Sequence, residues 1–179
     1  RRNDSDISAV EVRTQPFKGK ETAPYKENSS GENQTYQLPK NNGIAKFKVF
    51  NQVTNAKQTV IYRYHLRNVV TNYRDIAELN QMVIGKEWQD TLNNVQVTIH
   101  LPEGTTSGDL RAWAHGSLNG NVKLENNHTV RLTSNKNPAN SPIEARVIFP
   151  TSITSDNQNK VDSNQLDKIL SSEKTAAEN

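Results

Sequence analysis

Apolar and polar positions alternate with a period of two along much of the chain from residue 44 onward. Phe47 and Val49 alternate with Lys46 and Lys48, and Val60, Tyr62, Tyr64 and Leu66 alternate with Ile61, Arg63, His65 and Arg67. Successive side chains of a strand point to opposite faces, so this period predicts two strands. The stretch from Thr54 to Lys57 can turn the chain, and a hairpin between them is expected. Val95, Val97, Ile99 and Leu101, spaced by Gln96, Thr98 and His100, form the cleanest strand pattern; Pro102, Gly104 and the Thr/Ser run at 105–107 end it. Burying side chains of this kind stabilises by about 1.5–3 kcal/mol each. Ordering the backbone costs about 1–2 kcal/mol per residue. Four buried side chains on seven residues therefore roughly break even, and this strand must share its ladder with neighbours. Further strands are predicted at 110–115, 122–124, 130–133 and 143–149. Asn119-Gly120 is a hairpin signal between the first two, because both residues tolerate positive φ.

The rest of the chain patterns differently. Residues 1–43 are polar and irregular, with a short strand expected at 7–13 and a loop-like stretch at 21–34 rich in Glu, Lys, Asn, Ser and Gly. Residues 74–84 fit helical spacing through Ile76, Leu79 and Val83, and equally fit strand alternation. Near the end, Leu166, Ile169 and Leu170 make a narrow apolar stripe that predicts a helix, with Asp162 or Ser163 as its expected cap. Beyond Ser171 the sequence offers little to bury and reads as the start of a linker or stalk. The expected fold is all-β: an antiparallel, β-sandwich-like domain with a polar N-terminal arm and a short C-terminal helix. The expected division is an arm at 1–43, a β-domain at 44–152 and a linker with helix at 153–179.

Composition narrows the class. Only 32% of the 179 residues are hydrophobic and 6% aromatic, so the core is expected to be small. Lys and Arg number 22 against 19 Asp and Glu, for a formal net charge of +3. This mild basic excess permits attraction to an anionic surface without requiring one. No nucleic-acid-binding module is present, and no nucleic-acid partner is expected. With no cysteine, disulfides, thiol catalysis and thiolate metal sites are excluded. No apolar run approaches the about 20 residues that a membrane-spanning helix needs.

One stretch carries a resemblance. Tyr62 to Tyr64, Val69 to Asp75, Ala77 to Asn80, Ile84-Gly85 with Trp88, Asn94 to Pro102, Ala114 to Gly116 and Ala145 to Pro150 follow one another in an order and spacing that resembles the family of predicted bacterial membrane proteins called domain of unknown function 2207. The resemblance implies an extracellular region that follows a removed signal peptide and precedes a membrane segment outside this chain, so that the tail from Gln165 onward runs toward the membrane. It implies localisation at the cell membrane on the extracellular side. It carries no known activity and therefore no functional residues. The Asn- and Lys-rich composition suggests a Gram-positive source.

The chemistry-bearing residues are sparse. His65, His100, His115 and His128 lack the local spacing of a zinc site, and His115 beside Trp113 reads as a hydrogen-bonded structural histidine. The carboxylate pairs Asp75/Glu78 and Glu87/Asp90 are the nearest in sequence that could serve glycan hydrolysis, though solvated faces produce such pairs constantly. No catalytic residue, metal ligand or cofactor is expected. In the expected hairpin, Lys48 would oppose Arg63, Lys46 would oppose His65, and Arg67 would continue a basic strip. An anionic partner would relieve the repulsion; the plainer reading is a solvated face whose charges splay apart or pair with carboxylates elsewhere. The expected function is a non-catalytic binding, sensing or assembly module of an envelope protein, with an anionic cell-wall polymer or a membrane protein as partner. The alternatives are an envelope carbohydrate-acting hydrolase and a secreted adhesin-like module.

Overall fold

A computed structural model describes residues 7–41, 44–104, 108–116 and 120–178. The chain divides into two compact units, Arg1–Arg67 and Asn68–Asn179. The division falls inside the 44–152 stretch read from the sequence as one β-domain, and residues of the polar 1–43 segment supply strands to the first unit.

The first unit contains β1 (Ile7–Pro16), β2 (Lys26–Glu27), β3 (Thr35–Gln37), β4 (Lys40–Asn41), β5 (Ile44–Ala45), β6 (Lys48–Phe50) and β7 (Gln58–Leu66). The hairpin expected between the strands around 47–49 and 60–66 does not form: β6 pairs with β3, and β7 pairs antiparallel with β1. Thus Arg63 lies across the ladder from Glu11 and not from Lys48, and His65 from Ser8 and not from Lys46. The physical reason lies in β1, which is longer than expected and runs to Pro16. It sets Val12 opposite Tyr62 and Thr14 opposite Val60, with Val12 and Thr14 wholly buried. The core adds Tyr25, Tyr36 and Leu38, with Phe47 and Val49 packed against them.

The second unit is a β-sandwich. One sheet has the order β11 (Arg111–His115), β14 (Ile143–Phe149), β9 (Ala77–Ile84), β8 (Val70–Asn72); the other has β10 (Leu92–His100), β13 (Thr129–Asn137), β12 (Gly120–Asn126). All ladders in it are antiparallel. Ala145, Val147 and Phe149 of β14 meet Val130 and Leu132 of β13 in the shared core, with Val97 and Ile99 of β10 alongside. The strands β11 and β12 belong to different sheets; the Asn119-Gly120 turn expected between them falls on Asn119, outside the described residues, while β10 ends at His100, just before the expected stop at Pro102 and Gly104. Residues 74–84 prove to be a turn followed by β9. Their pattern is ambiguous because β9 is covered on both faces near its start, where Ala77 and Glu78 are both buried.

The outer face of the four-stranded sheet carries helix α1 (Leu166–Ala177). Its stripe of Leu166, Ile169 and Leu170 packs on Ile76, Ile148, Tyr73 and Trp113. The helix extends past Ser171, and Glu173, only 5% exposed, turns toward the sheet. Glu173 accepts a hydrogen bond from Nη1 of Arg146 on β14 and lies 3.1 Å from Nε2 of His115 on β11. Arg146 Nε also stands 2.9 Å from Glu78 Oε1 on β9, but the two atoms are not aligned as a hydrogen bond, so Glu78 contributes charge more than direction. Burial pulls the Arg146 pKa down, yet the Glu173 bond and the surrounding carboxylates outweigh it and hold the guanidinium charged.

The expected caps Asp162 and Ser163 do not cap the helix. Asp162 pairs with Arg74, and Gln165 at the N-cap makes no side-chain bond. The orphan N–H groups of Gln165 and Leu166 donate instead to the carboxylate of Asp75, on the turn before β9. Partial burial pushes the Asp75 carboxyl up, but hydrogen bonds from three backbone N–H groups outweigh it and hold it below its ordinary value. The approach to the helix is laced along the edge of β8. Asn72 N–H donates to Asn159 O, Val161 N–H to Asn72 O and Arg74 N–H to Ser163 O, while the side chains of Asn157 and Asn159 both donate to Val70 O. A sheet edge is thereby covered by a run of asparagines.

Two outcomes are expected. Glu173→Ala leaves Arg146 without its aligned partner under the helix and lowers unfolding free energy by about 3 kcal/mol, measured by urea unfolding. Asp75 has a depressed folded-state pKa, so its contribution is fully present above the ordinary carboxylate range and is lost as pH falls through the folded value. Asp75→Asn should therefore cost about 1 kcal/mol at neutral pH. That difference should close as pH falls below about 4, and a constant gap across pH would contradict the cap.

Candidate functional site

Strand β7 pairs with β1 along one edge; among the described residues its other edge carries no ladder. Its period of two gives it unlike faces. Val60, Tyr62 and Tyr64 share the face of Val12 and Thr14, yet β7 lies at the rim, where the cover of Tyr25, Tyr36 and Leu38 is incomplete. Tyr62 stays 39% exposed and Tyr64 45%. Phe47 arrives from the β6 side and packs on both, with ring centroids 4.9 Å from Tyr62 and 5.9 Å from Tyr64, and 6.4 Å from Tyr36 further in. The sequence pattern put Phe47 on the face of Tyr62 and Tyr64, and the rings do meet, but across two layers and not as neighbours in a hairpin. The cluster is thus anchored in the core and presents two tyrosine rings to solvent. Burial raises the Tyr62 pKa, so its phenol is a neutral hydroxyl at ordinary pH and can both donate and accept hydrogen bonds.

The opposite face of the β1–β7 ladder is ionic. Arg63 donates to Glu11 at 3.1 Å and to Glu21 at 2.9 Å, and Arg13 Nε donates to Glu11 at 2.8 Å. The hydrogen bond from Arg13 leads in holding the Glu11 carboxyl below its ordinary value, against a burial cost, and Arg63 adds to it. Arg63 does the same for Glu21.

The five residues of the expected basic strip are therefore not set side by side by a β6–β7 ladder. Lys46 and Lys48 alternate with the core residues Phe47 and Val49 and leave the core on the β6 side. Arg63, His65 and Arg67 alternate with the tyrosines and leave it on the β7 side. Lys48 places its ammonium 5.1 Å from the Phe50 ring centroid, and Arg63 is held by two carboxylates. His65 and Arg67 are exposed. The sequence reading missed the carboxylate partners because Glu11 and Glu21 lie 52 and 42 residues from Arg63.

In the second unit, His115 sits against Glu173 as a hydrogen-bonded structural histidine, and His100 Nδ1 lies 3.3 Å from Thr129 Oγ1. Among the described residues no group of three or more His, Asp or Glu is placed to hold a metal ion. No helix among them is long and apolar enough to cross a membrane.

No curated protein and no solved structure matches the chain. A family model described as predicted membrane protein (DUF2207), N-terminal domain, matches residues 1–149. The match spans strands of both units, reaching back through the arm where the sequence motifs at 62–150 were silent. The chain belongs to this family of predicted membrane proteins, whose N-terminal domain it carries over most of its length.

Proposed function

We propose that this chain is a non-catalytic binding module on the extracellular side of a bacterial envelope membrane protein, and that it holds cell-wall polymer against the rim of β7. The observation that supports the reading is the aromatic cluster of Phe47, Tyr62 and Tyr64, fixed from below and open above. Side chains with two χ angles offer large contact area at low entropic cost. A ring face takes the C–H face of a sugar, while the phenol reaches its hydroxyls. An edge strand leaves the polymer room to lie lengthwise. The family description as a membrane protein supports an envelope setting. Charge is secondary in this reading, since Arg63 already has its counter-ions.

The test is cosedimentation of the chain with isolated Gram-positive walls, with and without teichoic acid, at low and high salt. Tyr62→Ala combined with Tyr64→Ala is expected to weaken binding by about tenfold, near the stacking strength of two aromatic rings, while salt changes it little. Binding that is lost when teichoic acid is removed or salt is raised would transfer the role to Lys46, Lys48, His65 and Arg67, tested by Lys46→Glu with Arg67→Glu. No sedimentation under any condition would sink the wall-binding reading.

A further inference from the structure

The β1–β7 ladder ends at the pair Pro16/Gln58, so the loop after β1 and the loop before β7 leave the first unit at one tip. Phe17 N–H donates to Lys57 O at 3.1 Å and ties the two loops together. Phe17 is 69% exposed, more than any other large apolar side chain among the described residues. Val53, in the second loop, is 46% exposed. Around them stand Lys18, Lys20 and Lys57, all exposed. None of the three forms an ion pair among the described residues, and Glu21, the residue after Lys20, is taken by Arg63.

The turn itself is tight. Gly19 N–H closes it onto Pro16 O at 2.9 Å, and Lys18 holds φ at +62°, in the left-handed region that favours glycine. Glycine follows at position 19, one residue too late to relieve it. A lysine kept in a glycine conformation is a cost to folding, one the chain also bears at Ala9 and Gln34. The Lys18 ammonium lies 5.6 Å from the Phe17 ring centroid, so charge and apolar surface reach outward together.

We infer that this tip is a membrane-surface anchor, with Phe17 and Val53 entering the headgroup boundary of a bilayer while Lys18, Lys20 and Lys57 meet anionic lipid phosphates. Aromatic and aliphatic side chains framed by lysines match that boundary, which is apolar on one side and negatively charged on the other. The site differs from the β7 rim in position and ligand, so either can fail without the other.

The experiment is cosedimentation of the 179-residue chain with vesicles of phosphatidylcholine alone and of equimolar phosphatidylcholine and phosphatidylglycerol. Binding should require phosphatidylglycerol and weaken with salt. Phe17→Ala should lower it about tenfold and each of Lys18→Glu, Lys20→Glu and Lys57→Glu at least about fivefold. Lys18→Gly separates use from scaffold: it should raise the melting temperature while weakening vesicle binding. Phe17→Trp should add a blue-shifted emission on vesicle addition, beyond any change from Trp88 and Trp113. The inference is overturned by an absence of binding to the mixed vesicles at low salt, by binding indifferent to Phe17→Ala and the lysine reversals, or by capture of soluble teichoic acid at this tip without vesicle binding.

Discussion

A guanidinium placed between a sheet and a helix must be neutralised or it undoes both. Arg146 sits in an inner strand of the four-stranded sheet, on the face opposite the sandwich core, and β14 cannot move it because Ala145, Val147 and Phe149 fix the register. Its charge is answered from three directions: Glu78 from β9, Glu173 from α1, and Glu144 at longer range. The helix is thereby held by an electrostatic demand of the sheet as well as by its own apolar stripe. That stripe is narrow, and a short amphipathic helix with three apolar contacts is marginal alone. Asp75 supplies what the helix lacks at its start, and Glu173 secures it two turns later.

The first unit uses the same kind of long-range ionic pairing for another purpose. Glu11, Arg13, Glu21 and Arg63 close a network on the outer face of the β1–β7 ladder. Exposed pairs of this sort contribute little stability singly. What they do is fix which strand lies beside β7. A lysine strand there would set like charges against Arg63, whereas β1 brings Glu11. With β1 in that place, the aromatic face of β7 projects beyond its cover and stays available at the rim.

Strand identity was largely legible, because alternation marks a strand with one face in the core. Val95 to Leu101 and the run at 143–149 were read at nearly their observed bounds. Pairing was not. Alternation says which face a residue occupies and is silent on which strand lies alongside, so Phe47 was correctly set on the face of Tyr62 and wrongly set in its hairpin. The aromatic rim was therefore half visible, as a face without its neighbours. Long-range partners were invisible altogether: nothing local to Arg146 announces Glu173, and nothing near Leu166 announces Asp75. The strand expected at 7–13 is most of β1, but its full length and its partner escaped the reading, since one of its faces is an ion-pair surface and half its alternation is written in Glu and Arg.

The place of β14 in the sheet has a consequence for when this unit can exist. It lies between β9 and β11, yet it comes after both in chain order. Until residues 143–149 arrive, β9 has only the three-residue strand β8 beside it and β11 has no partner in its sheet. The four-stranded sheet cannot close in pieces, and its assembly waits on contacts between β9 and β14 that span about sixty residues of chain or more, which slows folding relative to a meander of neighbouring hairpins. Helix α1 follows β14 in the chain and packs on its Ile148, so it can seat only once that strand has taken its place in the sheet.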